Sequence, residues 1–545
     1  MPKILTVEQM KRIETASDAA GWTYAQMMER AGQAVADAVV ARIASPAARR
    51  VVILTGSGNN GGDGLVAGRW LADAGMQVAV YLVRDRPAQD PHVEALRERG
   101  ALIARAEDDQ RQRVLANLVQ ACDVLIDAVL GTGARLPLKG EVAQALLAAR
   151  SAVGERPTPP LRVAVDCPSG LDCDTGEVAP ETMAADVTVT LAAAKPGLLR
   201  LPGVRLAGEI LVADIGIDPQ QPELSQVNME WISVDDVRRL LPDRPRDAHK
   251  GTFGTLVIAA GSVNYPGSAG LAGTAAYRVG TGLVTLAVPA GVQRLLASSL
   301  LEATWIVLPE EMGVIARGAA DVLLRELGRA TALLLGPGLG RDETTRGFVE
   351  RLLAHPKEGS PRAAIGFVHE PEAAGQAIAL APLVVDADGL RLLASLPDWP
   401  KKLPSRTILT PHPGEMAALT GQSLESLQLD RLASARGWAA EWGHIVVLKG
   451  AHTVVAEPDG RTAVLPFATA ALARAGTGDV LAGAIAGLRA QGLEAYESAL
   501  LGSYLHGRAG EIAAMRAGAP DGVLAGDVAA LLPESIRELR GDARA

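Results

Sequence analysis

Cysteine and aromatic residues are scarce, with three cysteines and 3% aromatic residues in a chain of 545. Cys122, Cys167 and Cys173 all lie in the first third, without metal-ligand or disulfide spacing. That excludes a disulfide scaffold or a zinc module and reads as reduced thiols of a cytoplasmic protein. Excess positive charge is also lacking. The formal net charge is −9, so no global basic field draws the chain to nucleic acid or to an anionic membrane, and neither is expected as a partner. No uninterrupted apolar run approaches the ~18 residues of a membrane span, and residues 1–10 lack a basic stretch followed by an apolar one, so no targeting segment is expected. No short-period repeat occurs, which excludes solenoids and propellers.

What is present is aliphatic and glycine-rich: 48% hydrophobic residues and 58 glycines suit a core of Val, Leu, Ala and Ile between parallel strands and helices, an α/β class. The length exceeds what one core organises, so two domains are expected. Residues 6–43 carry Met10, Ile13, Met27, Met28, Val35 and Val39 at helical spacing, and amphipathic helices there serve packing or dimerisation. A homo-oligomer is expected. β-rich runs then alternate with helical ones, at 51–55, 77–83, 124–129, 162–165, 187–191 and 210–212. Residues 218–226, beginning Asp218-Pro219-Gln220-Gln221-Pro222-Glu223, read as a linker between a domain at 1–217 and another at 227–545. The second alternation has strands at 255–259, 283–288, 332–335, 383–385, 407–409 and 445–448. Pro458-Asp459-Gly460 then turns a hairpin between 453–456 and 462–465.

The first strand runs into Gly56-Ser57-Gly58-Asn59-Asn60-Gly61-Gly62-Asp63-Gly64 and a helix, a turn through which backbone amides approach an anion. Gly56, Gly58 and Gly61 satisfy the dinucleotide fingerprint, and Asp85 lies where a ribose-binding acid would sit. Asp63, however, would compete with a pyrophosphate at the helix N-terminus, which argues against an ordinary dehydrogenase. Asp127 ends the strand before Gly131-Thr132-Gly133-Ala134-Arg135-Leu136-Pro137, and Asp166 ends the strand before Cys167-Pro168-Ser169-Gly170. Either acid alone reads equally well as a loop cap. Three polar loops after three strands, though, point to one crevice at the carboxyl ends of a sheet.

Together these segments resemble the NAD(P)H-hydrate epimerase family, over roughly residues 1–217. The resemblance implies a Rossmann-like three-layer domain. In it Asn59, Asn60, Gly61, Gly62 and Asp63, with Gly131, Thr132, Gly133, Ala134, Arg135, Leu136 and Pro137, bind hydrated NADH or NADPH. It also implies that Asp166 contacts substrate and that Asn60, Asp127 and Ser169 give oxygens to a potassium ion; oxygen ligands suit a hard cation. Asp166 is the candidate acid–base group for remaking the hydrated centre. Lys195-Pro196-Gly197 also resembles the family, but turn geometry explains its Pro and Gly equally well.

In the second half, glycine-bearing loops follow strand after strand: Gly261-Ser262-Val263-Asn264-Tyr265-Pro266-Gly267-Ser268-Ala269, Gly336-Pro337-Gly338-Leu339-Gly340, Asp386-Ala387-Asp388-Gly389, Thr410-Pro411-His412-Pro413-Gly414-Glu415 and Lys449-Gly450-Ala451-His452-Thr453. Gly476-Thr477-Gly478-Asp479 then opens a helix through Val480, Leu481, Ile485 and Leu488. Asp479 alone is an adequate N-cap. With the glycines before it, the same turn makes an anion hole for a transferring phosphoryl group, with a carboxylate placed to take a proton.

This half resembles the ribokinase-like superfamily and, within it, ADP-dependent NAD(P)H-hydrate dehydratases, over roughly residues 226–535. The resemblance implies that Ala269, Gly340, His412 and Asp479 bind the hydrate. Lys449, Gly450, Ala451, His452, Thr453 and Gly478 would bind the adenine nucleotide, ADP or ATP, with Mg²⁺ neutralising charge and Asp479 as base. Ala468-Thr469-Ala470 departs from the family's Gly-Asn-Pro turn. The implied activity is repair of hydrated NADH and NADPH: epimerisation of the R and S hydrates, then ADP-dependent dehydration of the S hydrate to NAD(P)H with AMP and phosphate released. The alternative is a ribokinase-like small-molecule kinase fused to a non-catalytic Rossmann-like binding module.

Overall fold

The computed structural model describes residues 2–354 and 380–541. The chain divides into two compact units, Met1–Trp231 and Ile232–Ala545. The boundary falls just beyond the expected linker. Within that stretch Pro222–Ser225 form a short helix, Gln221 Nε2 donates to Ser17 Oγ at 2.6 Å, and Val227 packs among Leu5, Met10 and Ile13. Much of the supposed linker is therefore part of the first unit's surface packing.

In the first unit, β1 (Arg50–Thr55), β2 (Gln77–Leu82), β3 (Leu102–Arg105), β4 (Val124–Ala128), β5 (Leu161–Val165), β6 (Val187–Leu191) and β7 (Glu209–Ala213) form one sheet in the order β3-β2-β1-β4-β5-β6-β7. Every pairing is parallel. The two-residue period sends Val51 and Ile53 to one apolar cluster and Val52 and Leu54 to another, so helices cover both faces. Short β8 (Met229–Trp231) runs beside the N-terminal segment, where Trp231 N donates to Pro2 O and Ile4 N to Met229 O. Met10, Ile13, Met27, Val35 and Val39 are all buried within this unit. Their helical spacing is accounted for by packing.

The second unit contains β9 (Thr255–Ala259), β10 (Leu283–Pro289), β11 (Thr304–Leu308), β14 (Ala332–Leu335), β15 (Leu383–Val385), β16 (Ile408–Leu409), β17 (Ile445–Leu448), β18 (Val454–Ala456) and β19 (Thr462–Val464), with a small separate hairpin of β12 (Glu310–Glu311) and β13 (Val314–Ile315). The main sheet runs β11-β10-β9-β14-β15-β16-β17-β18-β19, parallel as far as β17 and antiparallel through the expected hairpin β18–β19. Its core lies under the helices Pro266–Arg278, Thr477–Ala490 and Ala495–Ala517. The first two meet closely: a Cβ at Gly483 would lie 2.2 Å from Ala272 O. No described helix is long and apolar enough to cross a membrane.

Both sheets reverse their winding direction once, between β1 and β4 in the first unit and between β9 and β14 in the second. Ligands of open α/β sheets collect at the carboxyl ends of strands at such a point.

Candidate active sites

The first cleft, about 390 Å³, opens at the β1/β4 reversal. The turn after β1 runs straight into the helix Asn59–Asp73, whose N-cap Gly58 offers no side-chain acceptor, so first-turn amides are left for an anionic ligand. Arg86 fixes this turn by donating to Gly56 O at 2.7 Å and Gly58 O at 3.1 Å while pairing with Asp90. Asn59, Asn60, Asp63, Gly131, Thr132, Gly133 and Asp166 line one space. Gly61 and Gly62 sit behind it, packed against Gly56 O and the Met28 side chain. Ala134 and Arg135 are not part of the lining, and Leu136 and Pro137 border a separate shallow depression with Glu177 and Pro180.

Asp166 has a left-handed backbone, φ 65°, an arrangement Asp tolerates better than most residues and one concentrated at functional positions. Its Oδ1 accepts from the fully buried Lys195 Nζ, from Leu191 N at 3.1 Å and from Thr190 Oγ1 at 3.2 Å. Lys195 is completed by Thr190 Oγ1 at 3.0 Å and Leu191 O at 2.9 Å. The Lys195 turn is therefore electrostatic machinery as well as a bend. Burial drives the Asp63 carboxyl well above the usual carboxylate range; Asp166 and Glu14 push it the same way, with Lys195 and Arg86 opposing. Burial likewise raises Glu14. Three carboxylates thus share one buried ammonium.

Next to this cleft's Gly131 loop lies a group of buried side-chain oxygens. Asp127 is buried at the end of β4; its Oδ2 accepts from Ser169 N at 2.8 Å, its Oδ1 accepts from Ser169 Oγ, and burial raises its pKa against those hydrogen bonds. No cation among the described residues forms an ion pair with it. Asn60 Oδ1 is buried with no hydrogen-bond partner, and a Cβ at Gly131 would stand 3.0 Å from that oxygen. An unpaired buried carboxylate, a hydroxyl and an orphaned amide oxygen are donors suited to a hard cation.

The second cleft, about 410 Å³, is lined on its polar side by Lys449, Gly450, Ala451, Thr453 and Gly478. Leu465, Phe467, Leu472 and Leu481 form an apolar wall, and Ala468-Thr469-Ala470 borders it. His452 is buried behind the lining with φ 52°, its amide bonded to Phe467 O and its Nδ1 near Leu465 O; burial lowers its pKa to about 4. It supports the loop from within. Lys449 Nζ meets Asp386 Oδ1 at 2.6 Å and Glu415 Oε2 at 3.6 Å. Burial works against the ammonium, but the two acids hold its pKa above the ordinary value. Gly478 closes on this pair: a Cβ there would lie 3.5 Å from Lys449 Nζ and 3.9 Å from Asp386 Oδ2, a buried oxygen with no partner.

Asp479 follows at once. Burial and the nearby Asp386 raise its pKa to about 6, against a hydrogen bond from Ser268 and the charge of Lys449. Ala269 is buried beside Ser268, Gly340 N donates to Asp388 Oδ2 at 3.0 Å, and His412 caps the helix Pro413–Thr420, its Nδ1 accepting from Gly414 N at 3.0 Å while its own N donates to Glu415 Oε2 at 2.8 Å. Ala269, Gly340, His412 and Asp479 are not in the lining of the second cleft. The β9 and β14 loops are tied together by Gly261 N to Pro337 O at 2.8 Å and Ser262 Oγ to Gly338 O at 2.8 Å. No three His, Cys, Asp or Glu side chains converge as a metal site among the described residues.

Sequence reasoning missed Lys11, Glu14 and Arg84, which line the first cleft, and Ser503 and His506, which line the second. The two thiols Cys167 and Cys173 lie 2.9 Å apart in the buried turn after Asp166 as free cysteines.

A family model described as YjeF-related protein N-terminus matches residues 24–197, and one described as NAD(P)H-hydrate dehydratase matches residues 256–360 and 370–534. The chain is 38% identical over 521 residues to the bifunctional NAD(P)H-hydrate repair enzyme of Moorella thermoacetica, covering 94% of this chain and 92% of that one. It is 34% identical over 551 residues to the bifunctional NAD(P)H-hydrate repair enzyme of Thermofilum pendens, covering 99% and 97%. Among solved structures, the ADP/ATP-dependent NAD(P)H-hydrate dehydratase from Bacillus subtilis co-crystallised with ATP and Mg²⁺ is 30% identical, with a TM-score of 0.45 over 57% of this chain and 98% of that one.

Proposed function

The chain belongs to the family of bifunctional NAD(P)H-hydrate repair enzymes, and we propose that its two clefts divide the repair between them. The N-terminal unit epimerises the R and S hydrates of NADH and NADPH; the C-terminal unit dehydrates the S hydrate with consumption of a nucleotide. The observation that carries the division is that each unit assembles its own ionisable cluster at the carboxyl ends of its own sheet's parallel strands, Asp63, Asp166 and Lys195 after β1, β5 and β6 in one, and Asp386 and Lys449 after β15 and β17 with Asp479 in the other.

In the first cleft the amides of the Asn59 turn and the Gly131–Gly133 loop take the anionic part of the substrate, and Asp166, held by Lys195, exchanges a proton with the oxygen that leaves or joins the hydrated carbon. Asn60, Asp127 and Ser169 hold a potassium ion, whose charge, when bound, offsets that of the buried Asp127 carboxylate. In the second unit the apolar wall around Phe467 receives the base of ADP, with ATP as the other candidate donor. Lys449 and the Gly478 amide hold its phosphates, and Asp479 takes the proton from the hydrate hydroxyl as its oxygen attacks phosphorus. The bond from phosphorus to the bridging oxygen breaks and AMP leaves. Loss of phosphate and of a proton from the adjacent carbon then restores the ring double bond. Asp386 Oδ2, buried near Gly478 without a hydrogen-bond partner, would be available to hold the Mg²⁺ of the nucleotide, which would neutralise phosphate charge.

The test supplies mixed hydrate epimers, Mg²⁺, K⁺ and either nucleotide, and follows dihydronicotinamide absorbance together with free phosphate. Equal yields of reduced nucleotide and phosphate are expected. A stable phosphoester in their place would restore the kinase alternative.

A further inference from the structure

The N-terminal helix Val7–Ala19 is held over the first cleft with unusual thoroughness. Thr6 and Gln9 close a capping box at its start. Val7 N donates to Asp174 Oδ1 at 2.9 Å, which ties the helix to the loop that follows Asp166. Just before it, Leu5 N donates to Ala194 O at 2.9 Å, next to Lys195. Met10 and Ile13 are buried on its apolar face, packed with Ala193 and Ile215. Helix, Asp166 loop and Lys195 turn therefore form one braced assembly. Glu14, directly after the buried Ile13, is half-buried and lines the cleft with Asp63 and Asp166. This helix precedes the first residue, 24, that the family model matches.

We propose that Glu14 is a second acid–base residue of the epimerase cleft, exchanging a proton with the substrate oxygen on the opposite half-reaction from Asp166. The inference rests on the epimerase reading of this cleft. Hydration of an enamine protonates the β carbon and adds water at the carbon beside nitrogen, so the hydrated centre is a hemiaminal. Its inversion needs no redox partner. The carbon–oxygen bond breaks as the nitrogen lone pair forms a carbon–nitrogen double bond, and the departing hydroxide takes a proton from an acid and leaves as water. A water then adds to the other face and gives its extra proton to a base. One group must be protonated while the other is ionised, and they exchange states after each turnover. Asp166 is anchored in its ion pair with Lys195, and Asp63 is driven by burial toward its neutral form. Glu14 supplies the additional exchangeable site from a different structural element. The charged groups around it are Lys11 on its own helix, Asp63 after β1, Arg84 after β2, Asp166 after β5 and Lys195 after β6.

The experiment presents the full chain with the S hydrate of NADH, without nucleotide, and measures appearance of the R hydrate by chiral chromatography across pH. Glu14→Gln is expected to lower turnover by about 10² to 10⁴ with KM changed little, and to remove one titrating limb of the pH–rate profile. Glu14→Ala should regain part of the rate when formate is added, a response that loss of packing alone does not give. A Glu14→Gln enzyme that retains both limbs, or a Glu14→Ala enzyme that formate leaves unchanged, overturns the proposal whatever the size of the rate loss. Failure of the wild-type chain to interconvert the hydrates would overturn the epimerase reading itself, and is seen independently of either variant.

Discussion

Asp479 illustrates how one buried carboxyl serves chemistry at the expense of stability. With its pKa raised to about 6, the ionised base needed for attack is present above that value and lost below it, so dehydration by the wild type should fall about tenfold per pH unit below 6. The sign for stability is opposite. A carboxyl whose folded pKa is raised favours the fold below its unfolded pKa, and that contribution is lost as pH rises through about 6. Asp479→Asn, neutral at every pH, is therefore expected to abolish turnover by about 10² to 10⁴ while melting higher than wild type at pH 8, an advantage that shrinks toward pH 5. A variant that melts lower at pH 8 and turns over normally would return Asp479 to a capping role. Lys195 makes a second residue-scale case. Its ammonium is fully buried against Asp166, so Lys195→Ala leaves an uncompensated charge and should cost roughly 3–5 kcal/mol of first-unit stability, measured by denaturant unfolding.

At the scale of elements, the glycines of the strand-end loops separate into structural and functional positions. Gly336 has φ 133°, and a Cβ there would lie 1.9 Å from Asp386 O, so Gly336→Ala should disturb the β14 and β15 loops together and lower the melting temperature. Gly478 is different, because its nearest would-be neighbours are Lys449 Nζ and Asp386 Oδ2 at ordinary contact distance. Gly478→Ala should melt as wild type yet raise the nucleotide KM roughly tenfold, the scale of one weakened charge-assisted hydrogen bond. An unchanged KM would remove the phosphate from this turn. The contrast explains what was legible in the sequence. Central strands such as β4, β9 and β14 are buried on both faces and read as continuous apolar runs, and the loops after them announce themselves by Gly and Asp. Edge strands β3 and β11 escaped notice although Leu102-Ile103-Ala104 and Trp305-Ile306-Val307-Leu308 are apolar: they are exposed at Leu102 and Val307, and neither is followed at once by a glycine-bearing loop. Glu14 carried no local signal, and the Lys195-Pro196-Gly197 turn read equally well as a bend, because the groups they meet, Asp63 and Asp166 for Glu14 and Asp166 for Lys195, stand far away along the chain.

At the scale of the whole molecule, the two-cleft arrangement makes a claim about yield that neither cleft makes alone. On the proposed division dehydration accepts one epimer, so a chain with only the second activity should consume a mixed hydrate sample until the S form is gone and then stop. Asp166→Asn should show that plateau at the initial S fraction, apart from slow spontaneous inversion, whereas the wild type proceeds to completion. Each ionisable cluster is assembled from residues of a single unit, Glu14 to Lys195 in one and Ser268 to Asp479 in the other. The clusters therefore need no residue from across the boundary. Separate proteins comprising residues 1–231 and 232–545 are expected to unfold in their own cooperative transitions, and the second alone should reproduce the plateau. Adding the first in equimolar amount should restore complete conversion, and adding it with Asp166→Asn should not. Complete conversion by the second protein alone would mean that the dehydratase accepts both epimers, and the division of labour between the clefts would have to be abandoned.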